Sequence, residues 1–510
     1  MSSQSFAATI EKLRATDREI VLLSHSSALL SWDQETCMPR RAIHERSAQL
    51  SLLQGLIHQR ITAEENRRML DQLGCSADNP GGDASLADDE RAFLRQYQRR
   101  YQRAARLPQE LVVKLAETTS RSQAIWAEAR AADDYASFAP QLDTLLDLLL
   151  EVSDRIGYAE HPYDALLDQY EPFMLTSEVD RIFAELRAEL VPLVEAIWAA
   201  PPVDAALLRR DYPVEQQAAF GATVMQALGY DLERGRLDTS THPFTTTLGA
   251  HDVRITTRYD PRFFNGAIFG TIHEVGHALY ELGIDEKYHG SLLAEGTSLG
   301  IHESQSRMWE NMIGRSRHFW RYFYPQLTRL FPAALADIDP ESFYRAINRV
   351  EPSLIRVEAD EVSYGLHIIL RFELEKALLS RTLTVAELPE AWRAGSRRLL
   401  GIEPRSDAEG VLQDIHWSMG GIGYFPTYAL GNLYAAQFMR VIEAELPSLW
   451  DHVERGEFAP LLNWLRVNVH AHGSARTAQE LCSSITGSQL SAAPFMDYLR
   501  TKYGDIYGLH

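Results

Sequence analysis

The chain has 510 residues, 45% hydrophobic and 24% charged, with a formal net charge of −20. That composition suits a large soluble core and excludes a fibrous or disordered chain, and the acidic balance speaks against nucleic acid and anionic membranes as partners. The three cysteines, Cys37, Cys75 and Cys482, are scattered and form no CxxC, so a reducing compartment and no disulfide framework are expected.

Residues 1–20 are polar and of mixed charge, without the apolar segment of a signal peptide. No run of about 18 apolar residues predicts a membrane span, and the cytoplasm is the expected location. Residues 5–36 read as a helical pair, with Phe6, Ile10, Leu13 and Ile20, then Leu29, Leu30 and Trp32, at helical spacing. A second run covers about 44–73. The Gly-, Pro-, Ser- and Asp-rich stretch 74–86 reads as an exposed loop. Helices are expected at about 87–106, 108–131, 137–158, 177–199 and 213–228. These first 230 residues form a scaffold without a catalytic constellation.

At 238–260 the texture changes. Threonines and other strand formers are enriched, and Leu248-Gly249-Ala250 can turn two short runs into a hairpin. A sheet edge here, just before the motif that follows, suits binding of a peptide backbone by strand addition.

His273-Glu274-Val275-Gly276-His277 is an HExxH motif. On a helix, residues four apart share a face, so His273 and His277 can direct two imidazoles at one metal ion, and Glu274 can take a proton from its water. A helix with two polar-face histidines would have the same spacing. Its other positions, Ala267, Ile268, Ile272, Val275, Ala278 and Leu279, are apolar, and buried ionisable groups need a partner that a metal supplies. A tripodal site needs one more ligand. The rivals are Glu295, in a glycine-rich loop, and Glu303, on a helix at 301–314. Ligand precision favours the helix.

Two later patches depart from plain helix surface. In 354–379, read as one helix, Arg356 and Asp360 stand four apart and can pair with each other. The stretch 410–433 is rich in glycine and aromatic residues, including His416, Trp417, Tyr424 and Tyr428. Its glycines let backbone approach a ligand, and His or Tyr can donate to an oxyanion. A packed aromatic loop is the bland alternative. Residues 434–510 return to helix.

Five stretches together resemble the carboxypeptidase Taq family of metallocarboxypeptidases. They are Asp252-Val-Arg254-Ile-Thr256, the HExxH motif, His302-Glu303-Ser304-Gln305, Ile355-Arg356-Val-Glu-Ala359-Asp360, and Gly410-Val-Leu-Gln413-Asp414-Ile-His416-Trp417. Trp32-Asp-Gln-Glu35 and His242-Pro243-Phe244 belong to the same likeness, and 294-AEGTSLGIHES-304 also resembles the angiotensin-converting enzyme family. The resemblance implies a mainly α, zincin-type fold with a small β-sheet beside a deep active-site groove, as one catalytic domain over 1–510. Its scaffold would span about 1–235, its metal and substrate motifs about 236–434, and its closing helices about 435–510. It implies zinc, with cobalt as a substitute, one per chain, on His273, His277 and Glu303. It implies a homodimer that removes C-terminal residues, other than proline, from peptides with a free C-terminus. Glu274 is the expected general base, His416 and Tyr424 the candidate oxyanion donors, and Arg356 and Arg254 the candidate anchors for the substrate carboxylate. An oligopeptidase on the same site, or a non-catalytic helical binding protein, are the alternatives.

Overall fold

The computed structural model describes residues 3–509, with side chains from Phe6 onward; Met1, Ser2 and His510, the ends of the expected 1–510 unit, lie outside it. Helices dominate. The first is one continuous rod, Ser3–Thr36, where the sequence suggested a pair. Between the two apolar runs lies a polar stretch, but it holds no Gly or Pro to break the ladder. Ser26 Oγ simply bonds back to the Leu22 carbonyl at 2.8 Å. The next run divides the other way, into Ile43–Ile61 and Glu64–Gln72. Buried Asn66 donates its amide to the Arg60 and Ile61 carbonyls at 2.7 and 2.9 Å, satisfying the end of the first helix and fixing the break. Helices follow at Asp88–Arg106, Gln109–Ala132, Tyr135–Ile156, Thr176–Ala199 and Val214–Leu228.

The only sheet among the described residues has strands β1 (Leu237–Thr239), β2 (Thr245–Gly249) and β3 (Asp252–Thr257), in the order β1-β3-β2. β2 and β3 form the expected hairpin, with Thr245 opposite Ile255 and Thr247 opposite Val253, and β1 runs parallel to β3. Val253 and Ile255 are fully buried in the main core, which also takes Ile272, Val275 and Ala278 from the helix Phe264–Leu282. Burial of each of these valine and isoleucine side chains stabilises by about 1.5–3 kcal/mol. The sheet therefore backs the HExxH helix on one side.

On its other side lies the helix Leu299–Arg307, which widens without a break into a π-helical turn, Met308–Ile313. Beyond it packs the long helix Pro426–Glu445. Two glycines permit this three-layer stack. A Cβ at Gly276 would sit 2.6 Å from Ser306 Cα, and one at Gly431 would sit 2.6 Å from Glu303 Cγ. The backbone of Leu299–Arg307 is thus clamped between two helices that approach it where they carry no side chain.

The helix expected over 354–379 begins only at Tyr364 and ends at Leu379. Before it, Arg356–Glu358 is a single 3₁₀ turn, and Ala359 is extended. This backbone does not set residues four apart on one face, so the pairing of Arg356 with Asp360 does not form. Asp360 instead accepts from the backbone N–H groups of Val362 and Ser363, both at 2.9 Å, and closes the turn that leads into the helix.

Candidate metal and catalytic site

The helical register of Phe264–Leu282 puts His273 and His277 on one face. Their Nε2 atoms lie 3.6 and 3.5 Å from Glu303 Oε2. One donor atom from each of the three residues falls within 4.8 Å of the others. Geometry thus brings Glu303, not Glu295, to the histidines: the Glu303 side chain is 8% exposed, whereas that of Glu295 is 62% exposed and faces Arg100.

Outer partners leave these atoms free to coordinate. Glu310 Oε2 accepts a hydrogen bond from His273 Nδ1–H at 2.9 Å, which leaves Nε2 for a metal. His277 Nδ1 meets His302 Nδ1 at 2.6 Å, and His302 Nε2 meets Glu281 Oε1 at 2.7 Å. A His302 that donates to Glu281 from Nε2 accepts from His277 at Nδ1, and His277 then also presents a bare Nε2. Arg307 Nε holds Glu303 Oε1 at 2.7 Å, while Oε2 faces the histidines and accepts a longer bond, 3.2 Å, from the Ser306 hydroxyl.

The electrostatics agree. Burial pushes His277 down to about 3, keeping it neutral. Burial also disfavours the His273 imidazolium, but Glu303 and Glu310 outweigh it and raise its pKa. Burial opposes ionisation of Glu303, yet Arg307 and the two histidines hold it well below the usual carboxylate range. Two neutral-capable imidazoles and an ionised carboxylate, with Nδ1 atoms already occupied, are a donor set that fits a divalent metal with an open position.

Glu274 follows the first histidine and is buried. Thr245 Oγ1, on edge strand β2, lies 2.6 Å from its Oε2. Burial raises the Glu274 pKa against the opposing pull of His273 and Thr245.

A groove of about 2090 Å³ opens over this cluster, lined among others by His273, Glu303, Tyr364, Arg356, His416 and Tyr428. Arg356 is buried in its wall, with Nε 2.9 Å from Asp414 Oδ1 and Nη1 3.0 Å from the Tyr364 hydroxyl. Its ion-pair partner is therefore Asp414. Arg371, fully buried, donates to the other oxygen of Asp414 at 2.7 Å and to Gln413 Oε1 at 2.8 Å. This latch joins the two late motifs and holds Asp414 well below its ordinary range despite burial.

His416 reaches the groove with Nε2 3.3 Å from the Tyr428 hydroxyl. Burial pushes it down to about 4. Tyr424 packs its ring 5.2 Å from that of His416; burial and then the nearby Glu303 charge raise its pKa. Arg254 is not brought to this cluster. Its fork closes on Asp252 at 2.8 and 2.9 Å, and its face lies over Trp32, 4.4 Å from the ring centre.

The sequence profile of the carboxypeptidase Taq (M32) metallopeptidases matches residues 12–503. The chain belongs to that family. Thermostable carboxypeptidase 1 of Thermus thermophilus is 44% identical, over 98% of this chain and 99% of the relative. Carboxypeptidase 1 of Bacillus subtilis is 40% identical, over 95% and 96%. The crystal structure of the M32 carboxypeptidase from Deinococcus radiodurans R1 superposes with a TM-score of 0.95 at 40% identity, covering 98% of this chain and all of that one. As a carboxypeptidase Taq family member the chain is a metallocarboxypeptidase, a peptide hydrolase, and its family implies a divalent metal and peptide substrates. Among the described residues, no helix is long and apolar enough to cross a membrane.

Glu310, Glu281, Thr245 and Arg371 are site residues that the sequence reading does not single out. A signal was present for two of them. Glu281 stands four residues after His277, and Glu310 seven after Glu303, each on the face of a ligand. For Thr245 and Arg371 nothing local marks the partner.

Proposed function

We propose that this metallocarboxypeptidase uses one zinc ion per chain, replaceable by cobalt, held by His273, His277 and Glu303. The convergence of His273 Nε2, His277 Nε2 and Glu303 Oε2 carries the reading. When bound there, the metal would supply Lewis acidity and would make a water more acidic at neutral pH. Glu274 takes the proton of the attacking water and delivers it to the leaving amine. His416 and Tyr424 donate to the oxyanion as it forms.

Arg356 is the proposed anchor for the substrate's terminal carboxylate. Its position in the groove wall supports this, as do Nη1 and Nη2 donors left over after Asp414 and Tyr364 are served. Arg254, closed on Asp252 and Trp32, has the lesser claim. Arg356→Ala is expected to lower kcat/KM on free-acid peptides by at least about 10-fold, the worth of a charged hydrogen bond, while metal content stays near one per chain. Unchanged kcat/KM would remove Arg356 as the anchor.

The proposed enzyme is a single catalytic domain, homodimeric and cytoplasmic, with broad specificity that excludes C-terminal proline. A timed digest of a free-acid peptide by metal-replete protein, read by mass spectrometry, tests the activity. The expected product is a ladder shortened from the C-terminus and abolished by a chelator. Internal cuts would instead indicate an oligopeptidase.

A further inference from the structure

Beneath the glycine-rich stretch lies a fully buried carboxylate that the mechanism above does not use. Glu375, on the helix Tyr364–Leu379, is 0% exposed. Its Oε1 accepts from Trp417 Nε1 at 2.8 Å. Its Oε2 accepts from the Tyr163 hydroxyl at 2.7 Å and from the Gly423 backbone N–H at 3.2 Å. Trp417 directly follows His416, and Gly423 directly precedes Tyr424. A single side chain thus holds the residue next to each proposed oxyanion donor. Four residues earlier on the same helix, Arg371 holds Gln413 and Asp414. Gly423 is pressed close: its φ is +94°, and a Cβ there would meet the Leu166 and Leu167 backbone at 2.9 Å. A side chain has no room at this seat, and the Gly423 N–H finds its acceptor in Glu375 Oε2.

We propose that Glu375 is a positioning residue for the hydrolytic step, which sets the spacing of His416 and Tyr424 over the scissile carbonyl without touching the substrate. The proposal rests on the reading of those two residues as oxyanion donors. Burial pushes the carboxyl up to about 7 while its donors pull it back. A carboxylate suits the seat because all its neighbours there can donate, two of them as N–H groups that can do nothing else. An amide does not. Whichever way a glutamine side chain is turned, its NH₂ faces either the Trp417 or the Gly423 N–H.

Glu375→Gln is expected to lower kcat by about 10- to 100-fold, as misplacement by up to about 1 Å does, with KM within about 3-fold and metal content unchanged. Trp417→Phe removes one of the clashing N–H groups. The double variant Glu375→Gln/Trp417→Phe is therefore expected to recover to the kcat of Trp417→Phe alone, because the amide can then turn its oxygen to Gly423. A purely structural role would make the two losses add, and additive losses or wild-type kcat in Glu375→Gln would overturn the proposal. If Glu375→Gln does not fold, Trp417→Phe alone decides: a fall in kcat at constant KM supports the proposal, and wild-type kcat overturns it. His416→Ala and Tyr424→Phe are measured alongside. Wild-type rates in both would sink the oxyanion-donor reading itself, which separates that failure from a failure of Glu375.

Discussion

Glu274→Gln is expected to bind metal as the native chain does and to lose about 10³-fold in kcat. The amide is isosteric, and none of the three ligand atoms belongs to it. Thr245 Oγ1, 2.6 Å from Oε2, can still donate to the amide oxygen, so the helix register and the seat of the side chain persist. Only the capacity to accept a proton is removed, and general-base contributions run to about 10²–10⁴-fold. Metal content by elemental analysis and single-turnover cleavage of a free-acid peptide check the two halves separately. Retained turnover would show that another group takes the proton. Loss of metal would show that Glu274 supports the ligands rather than the chemistry.

Gly276→Ala is expected to damage the metal site from behind. The new methyl would lie 2.6 Å from Ser306 Cα, 2.8 Å from the Gln305 carbonyl and 3.0 Å from Ser306 N, all backbone of the segment that carries Glu303. Overpacking of this kind costs about 1–3 kcal/mol. The segment cannot retreat freely, because Gly431 brings Pro426–Glu445 against its far side. Glu303 should therefore shift off the histidines, weakening metal binding about 10- to 100-fold. Gly270→Ala, on the same helix, is the control. Beyond its chain neighbours and its own helix backbone nothing lies within 4 Å of its Cβ position, and alanine is about 1 kcal/mol better than glycine inside a helix. Competition with a metal indicator and thermal unfolding compare the two variants. Equal metal affinity in both would refute the clamp.

The control also marks what the sequence leaves open. Gly270 and Gly276 look alike in the chain, yet only one faces another backbone. What the sequence determines by itself is local. The 3.6-residue period puts His273 and His277 on one face. The threonine-rich run with a glycine turn makes the β2–β3 hairpin, and the apolar spacing finds most of the scaffold helices. The order of short motifs was also enough to point to the family. Helix ends were less legible where a distant or polar group decides them: Asn66 breaks one run, Asp360 closes the turn that leads into another, and the serines near Ser26 fail to interrupt the first.

The tertiary structure decided the partners. Arg356 meets Asp414, 58 positions away, rather than Asp360, four away. His273 takes Glu310, and Glu375 reaches Trp417 and Gly423 across more than 40 residues. Periodicity fixes which face a residue occupies, but not which segment comes to cover that face. That choice is made when the chain closes, by packing constraints such as the bare backbone at Gly276 and Gly431, and by the requirement that every buried charge find a counter-charge or a donor.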